Sequence, residues 1–305
     1  MQISRTKGYK KIIAWMKAAG NKPFDFQKES WQKYEDGFSG IVNAPTGLGK
    51  TFSVFLSVMI DAVNNDRQNV KGVQLLWVTP LRSLAKDLKR AMQTALDELE
   101  IPWSVAVRNG DTPVAERQKQ LKKIPQILII TPETIHLLLA QKDHHLIFEK
   151  LQCVAIDEWH ELLGTKRGVM TELALSRLKG MQPAIRIWGI SATIGNIDEA
   201  LEVLVPGNQN KTLILTKERK KTNIISIIPD EIDTLPWAGH MGLNLAEYLI
   251  PIIEQSNTTL IFTNTRGQSE AWYQRLLQVY PDIAGAIALH HGSIDLELRS
   301  WIEDA

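Results

Sequence analysis

The stretch Ala44-Pro45-Thr46-Gly47-Leu48-Gly49-Lys50-Thr51 constrains this chain most, because it sits between the apolar pair Ile41-Val42 and an apolar run over residues 52–60. Strand, tight glycine loop and buried helix is the order that a Walker A phosphate loop requires. Glycines let backbone N–H groups turn inward around phosphates, and the helix start adds the positive end of its dipole. Lys50 is placed to reach the β- and γ-phosphates of ATP, and Thr51 to put its hydroxyl on Mg2+, with Thr46, Gly47 and Gly49 shaping the cradle. Ala44 stands where the general pattern has its first glycine, so the strict motif is not met. Alone, the stretch specifies a nucleotide binder and nothing finer.

Further apolar runs follow at residues 73–78, 127–130, 153–156 and 185–190. They are continuous rather than alternating, as in strands buried on both faces. Between the first two, Leu84, Leu88, Met92, Leu96 and Leu99 recur at helical spacing and form one stripe. Strands alternating with helices predict an α/β fold, a doubly wound and mostly parallel sheet. The pattern breaks at residues 205–210, where Pro206 and Gly207 open a turn-rich stretch, and we place a domain boundary there, giving units 1–206 and 207–305. In the second unit, residues 213–215, 224–228, 260–262 and 286–289 suit strands, with a helix from about residue 268 to 279.

At 305 residues the chain can hold two domains, each with its own core. A formal charge of +1 argues against a strongly basic, non-specific polyanion binder, though a local groove of Lys and Arg remains compatible with it. The single cysteine, Cys153, lies in an apolar run, which suits a buried side chain in a reducing compartment. Arg5, Lys7, Lys10 and Lys11 precede no continuous apolar segment, and no stretch approaches the roughly 18 apolar residues of a membrane span. These features predict a cytoplasmic protein without a membrane partner.

Asp157 and Glu158 directly follow the apolar run 153–156. Acidic residues at the C-terminal end of such a strand face the ligand crevice of the sheet. Asp157 is therefore the second candidate to hold Mg2+, and Glu158 the candidate to orient and deprotonate a water attacking the γ-phosphate. His290 and His291 lack the Cys or acidic spacing of a zinc site.

The string Asp157-Glu158-Trp159-His160 resembles the DExH box of superfamily 2 helicases, and companion motifs lie in that family's order. Phe24 to Gln27 resembles the Q-motif region, with Gln27 as the adenine reader. Thr79-Pro80-Leu81-Arg82 resembles motif Ia, Asn109-Gly110-Asp111-Thr112 motif Ib, Thr131-Pro132-Glu133 motif Ic and Ser191-Ala192-Thr193 motif III. Thr263-Asn264-Thr265-Arg266 looks like part of motif IV, and His290-His291-Gly292-Ser293 like the motif after it. Leu235-Pro236-Trp237, Glu270-Ala271-Trp272 and the His290 stretch are similar to Lhr-type proteins, closest to bacterial ligase-associated DNA-repair DExH helicases.

The resemblance implies a P-loop NTPase with RecA-like domains, the first complete and the second partial, that uses ATP and Mg2+ to move 3′ to 5′ along single-stranded DNA. It implies Arg82, Gly110, Thr131 and Thr263 as strand contacts, and His160, Ser191 and Thr193 as the link between ATP site and strand. A DNA ligase and a nuclease would be partners by the same resemblance. The sequence ends before the family's motifs V and VI, so slow hydrolysis is expected of these 305 residues. An RNA helicase shares every catalytic residue, and a nucleotide-dependent clamp without motor activity is the reading from another class.

Overall fold

The computed structural model describes residues 2–207, 210–216, 222–228 and 242–304. The chain forms two compact units, Met1–Lys220 and Lys221–Ala305.

In the first unit the described residues build seven strands: β1 (Ser39–Asn43), β2 (Leu75–Val78), β3 (Val105–Arg108), β4 (Ile127–Ile130), β5 (Cys153–Ile156), β6 (Arg186–Ser191) and β7 (Lys211–Leu215). Their order is β3-β4-β2-β5-β6-β1-β7, and every pairing is parallel. Parallel neighbours need crossovers, and helices supply them. These are α1 (Lys7–Ala18), α2 (Asp25–Glu35), α3 (Lys50–Asn64), α4 (Arg82–Glu98), α5 (Val114–Lys122), α6 (Pro132–Leu139), α7 (His144–Phe148), α8 (Trp159–Leu162), α9 (Lys166–Met181) and α10 (Ile197–Leu204).

The sheet carries a core on each face. Alternate strand residues such as Val42, Leu75, Trp77, Ile129, Ala155 and Ile190 pack with α1 to α4, while Ile41, Leu76, Val78, Ile130 and Ile156 pack with α6 to α10. Central strands therefore have no polar face, which is why they read as unbroken apolar runs. Because all seven strands run the same way, their C-terminal ends, and the loops that follow them, share one edge of the sheet.

Three sequence expectations are corrected. The boundary placed at 206/207 falls later, because residues 211–215 form β7 and pair with β1 from Ser39↔Lys211 to Asn43↔Leu215. The turn at Pro206 and Gly207 is a helix-to-strand connection, not a linker. Strand β3 was not anticipated at all. In the second unit, residues 224–228, 260–262 and 286–289 are not strands, since no described residue there forms a ladder with them. Most of the apolar side chains over 224–228 and 260–262 are exposed, with Phe262 88 % exposed, while Ile287 and Leu289 are half-buried. That unit contains α11 (Ala246–Gln255), α12 (Arg266–Val279) and α13 (Leu296–Asp304). Among the described residues no helix is long and apolar enough to cross a membrane.

Candidate active site

The phosphate loop joins β1 to α3. Gly47 (φ 81°) and Gly49 (φ 72°) both lie in the left-handed region, where a Cβ would be strained, so the loop folds back over the start of α3 as a cradle of N–H groups. Lys50 is the first residue of α3 and is buried. Gln27 on α2 braces the loop: its Nε2 donates to the Gly49 carbonyl at 2.9 Å, and its Oε1 accepts from the Phe24 N–H at 2.9 Å. The amide expected to read adenine is thus already tied to the protein at both ends, one amide hydrogen aside.

Facing the loop across β6 are the two carboxylates at the end of β5. Asp157 is 6 % exposed. Burial first, and then the Glu158 carboxylate, push its pKa up to about 6, against the Trp77 indole, the Glu158 N–H and the Lys50 ammonium. Trp77 on the adjacent strand β2 donates from Nε1 to Asp157 Oδ2 at 3.3 Å. Glu158 adopts φ 46°, uncommon for a residue with a Cβ, at a cost of roughly 1 kcal/mol. That turn ends β5 abruptly and leaves Glu158 Oε2 buried without a hydrogen bond.

His160 lies 3.5 Å from that oxygen through Nδ1, and the same nitrogen shares a 2.9 Å hydrogen bond with Ser191 Oγ. The Ser191 carbonyl accepts from the Ala44 N–H at 3.1 Å. A continuous path therefore runs from the acidic pair through His160 and Ser191 to the first residue of the phosphate loop. Thr193, placed with Ser191 at the sequence level, is exposed and lies outside this path.

The phosphate loop and the acidic pair line a cleft of about 350 Å³, walled by Thr46, Gly47, Gly49, Lys50, Thr51, Asp157 and Glu158 and flanked on the other side by Leu84, Asp87, Leu88 and Ala91 of α4. That volume suits a small ligand. Leu84 and Leu88, expected on the core stripe of α4, line this cleft, while Met92, Leu96 and Leu99 are buried as expected. The residues fit a nucleotide triphosphate with a divalent cation: inward N–H groups and one buried ammonium for phosphate, and a desolvated carboxylate that is poorly served without a cation. Thr51 and Asp157 would hold that cation.

A raised acid has a stability consequence. An unfolded Asp ionises near its ordinary value of 3.8, so between that pH and about 6 the folded chain holds more protons than the unfolded one. Stability then falls as pH rises through this window. Without nucleotide and in chelator, Asp157→Asn is expected to melt above the parent at pH 7.5, by about 3 kcal/mol, and the gap should close toward pH 4. A gap that is flat across pH 4 to 8 in thermal melts contradicts the assignment.

Three of the four strand contacts expected from the sequence follow strands of the first unit, and the fourth lies in the second unit. Arg82 opens α4, is exposed, and pairs with Asp111 at 2.8 Å. Gly110 sits in the loop after β3, so close to Arg82 that a Cβ there would meet Nη2 at 2.9 Å. Thr131 is buried before α6, and its hydroxyl bonds Thr134 Oγ1 at 3.1 Å, so the side chain is turned inward. Thr263 belongs to the second unit, where its hydroxyl bonds Ser269 Oγ at 2.6 Å. Sequence reasoning missed Trp77, Arg108 and Arg117. Arg117 on α5 donates to the carbonyls of Thr112 (2.8 Å), Asn109 (3.1 Å) and Gly110 (3.0 Å), holding the whole loop.

The DEAD/DEAH box helicase family model matches residues 24–200, which hold the phosphate loop, both carboxylates and the Ser191 link. The chain belongs to this family. Within the DEAD/DEAH box helicases it is similar to the ATP-dependent helicase Lhr-Core of Sulfolobus acidocaldarius, 31% identical over 91% of this chain and 33% of that one. The Lhr-Core helicase of Methanothermobacter thermautotrophicus is 30% identical over 96% of this chain and 36% of its own. The chain thus spans about a third of the curated relatives it matches. Among solved structures, the helicase Lhr of Mycobacterium smegmatis bound to ssDNA and AMP-PNP superposes with a TM-score of 0.77 at 28% identity, over 95% of this chain and 39% of that one. The fold is accordingly the RecA-like motor-domain fold of these helicases.

Proposed function

We propose that the chain is the ATP-binding part of a motor that moves along single-stranded DNA. The observation that carries the reading is the closed path from Glu158 through His160 and Ser191 to Ala44. It ties the base that would activate the attacking water to a strand end and to the phosphate loop, which is what coupling of hydrolysis to movement needs. The similar Lhr structure with ssDNA and AMP-PNP supports DNA as the strand.

In this reading Lys50 and the loop N–H groups bind the triphosphate, Asp157 and Thr51 hold Mg2+, and Glu158 takes a proton from the attacking water. Mg2+ supplies charge neutralisation on the phosphates. Gln27 holds the loop in shape and has one amide hydrogen left for the base. Lys50 is the sole cation among the residues lining the cleft. A transition-state arginine contributes about 10³ to 10⁵ in turnover. We therefore expect these 305 residues alone to hydrolyse ATP at roughly 10⁻⁴ to 10⁻³ s⁻¹, the range of P-loop enzymes before such an arginine engages. A cytoplasmic role in DNA repair beside a ligase and a nuclease is part of the proposal and rests on the Lhr-type resemblance.

The test is binding of equal-length fluorescent single-stranded DNA and RNA, with and without AMP-PNP and Mg2+, beside steady-state hydrolysis. We expect DNA and nucleotide to tighten each other's binding, reciprocally as linkage demands. Absence of strand binding in every condition overturns the motor reading, and binding of RNA alone moves the substrate to RNA. Strand affinity that responds to nucleotide without any turnover favours the clamp.

A further inference from the structure

Asp157 stands where the sheet meets the cleft, and each of its carboxylate oxygens accepts a hydrogen bond from the sheet end. Oδ1 accepts from the Glu158 N–H at 3.1 Å, and Oδ2 from the Trp77 indole at 3.3 Å. The second bond follows from the strand register. Trp77 pairs with Ala155, two residues before Asp157, and the Asp157 N–H carries the ladder onward by donating to the Val78 carbonyl at 2.8 Å. Residues two apart share a face of a sheet, so Trp77 and Asp157 are diagonal cross-strand neighbours, a separation within reach of an aromatic ring. Ala155 carries only a methyl group, which leaves that ring room to pass.

Trp77 is fully buried in the core that α1 to α4 cover. Leu75, Ile129 and Ala155 fill the same layer with aliphatic side chains. What the indole adds to such a layer is one polar N–H, which is unfavourable to bury unless it finds an acceptor. A second indole of the layer, that of Trp188 on β6, is equally buried, and its Nε1 has no hydrogen-bond partner among the described residues. Aromatic bulk and hydrogen bonding can therefore be separated within one core.

We propose that Trp77 is a positioning residue for Mg2+ binding, its indole fixing the rotation in which the Asp157 carboxylate faces the cleft. The proposal rests on the reading of Asp157 and Thr51 as the groups that hold Mg2+. With one oxygen bonded to the backbone and the other to a ring across the sheet, the carboxylate cannot turn about its last torsion without breaking one of these bonds. Its orientation is then set on folding and not at the moment of binding, which favours the bound cation.

The experiment measures the affinity of the 305-residue chain for a fluorescent, non-hydrolysable ATP analogue in saturating Mg2+ and in chelator. By linkage, the ratio of the two affinities reports how much more tightly the protein-bound analogue holds Mg2+ than the free analogue does. Trp77→Phe keeps an aromatic ring and drops the donor. It is expected to bind the analogue in chelator as the parent does and to lower the ratio about tenfold, the usual effect of removing a partner that orients a metal ligand. Trp188→Phe, which loses the same atoms from the same layer and breaks no hydrogen bond, should keep the parent's ratio. A ratio left at the parent's value in Trp77→Phe, or lowered as much by Trp188→Phe, overturns the positioning role and leaves the nucleotide site intact. Equal weakening in chelator and in Mg2+ also overturns it, because the damage is then to the phosphate loop. A parent with the same affinity in both conditions removes the cation site and this role with it. Should Trp77→Phe not fold, heteronuclear NMR of the parent decides: an indole N–H signal that Asp157→Asn displaces in the nucleotide-bound chain should also move when Mg2+ is added. Absence of any such shared signal overturns the proposal.

Discussion

Glu158→Gln is expected to bind ATP as the parent does and to hydrolyse it about 10²- to 10⁴-fold more slowly, the usual contribution of a positioned general base. The geometry separates the two effects. Glu158 lines the cleft beside Lys50, yet its Oε2 is buried and accepts no hydrogen bond, so an incoming water is the partner the protein leaves open for it. Glutamine has the same shape and can orient that water but cannot take its proton. It also removes a negative charge next to Asp157, which should bring that carboxyl down from about 6 and ease metal loading. Single-turnover hydrolysis with protein in excess, beside titration of a fluorescent ATP analogue, reads both quantities. Hydrolysis at the parent rate would remove Glu158 from its role.

Lys50→Ala is expected to fail at the earlier step. Lys50 is buried at the start of α3 and is the one cation among the residues that line the cleft, so the triphosphate depends on it for direct charge compensation. Removing one member of a buried charge pair costs about 3 to 5 kcal/mol, or roughly 10²- to 10⁴-fold in affinity. Loop N–H groups remain, so some binding at high nucleotide concentration should persist. Affinity within threefold of the parent in the same titration would show that the phosphates sit elsewhere.

The parts of this site that were legible in the sequence are those written in a few consecutive residues. Lys50 and Thr51 after two glycines, and Asp157 and Glu158 after four apolar residues, carry their structural context with them. The Trp77 bond to Asp157 spans 80 positions and leaves no local trace. Arg117 was equally hidden, because an arginine on a polar helix looks solvated until the loop it wraps is seen. The same distinction holds for the fold. Strands β2, β4, β5 and β6 are buried on both faces and announce themselves as apolar runs. Strand β3 is a four-residue edge with its middle half-exposed, and its Val-Ala-Val-Arg is too short and mixed to stand out. Strand β7 was seen but assigned to the wrong unit, because Pro206 and Gly207 mark a turn without saying which sheet the chain is turning toward.

The register of β1 has a consequence for how the protein is made. Residues 39–43 leave the ribosome well before their partners, residues 186–191 and 211–215. At about 5 to 20 residues per second, the strand that carries the phosphate loop waits on the order of ten seconds before either edge is covered. Its neighbour α3 can pack on α1 and α2 meanwhile, leaving a helical layer with an unpaired apolar strand beside it. The phosphate loop, which precedes both partner strands, is therefore secured only once they have been made, and a nascent chain stalled before residue 186 exposes an edge open to aggregation.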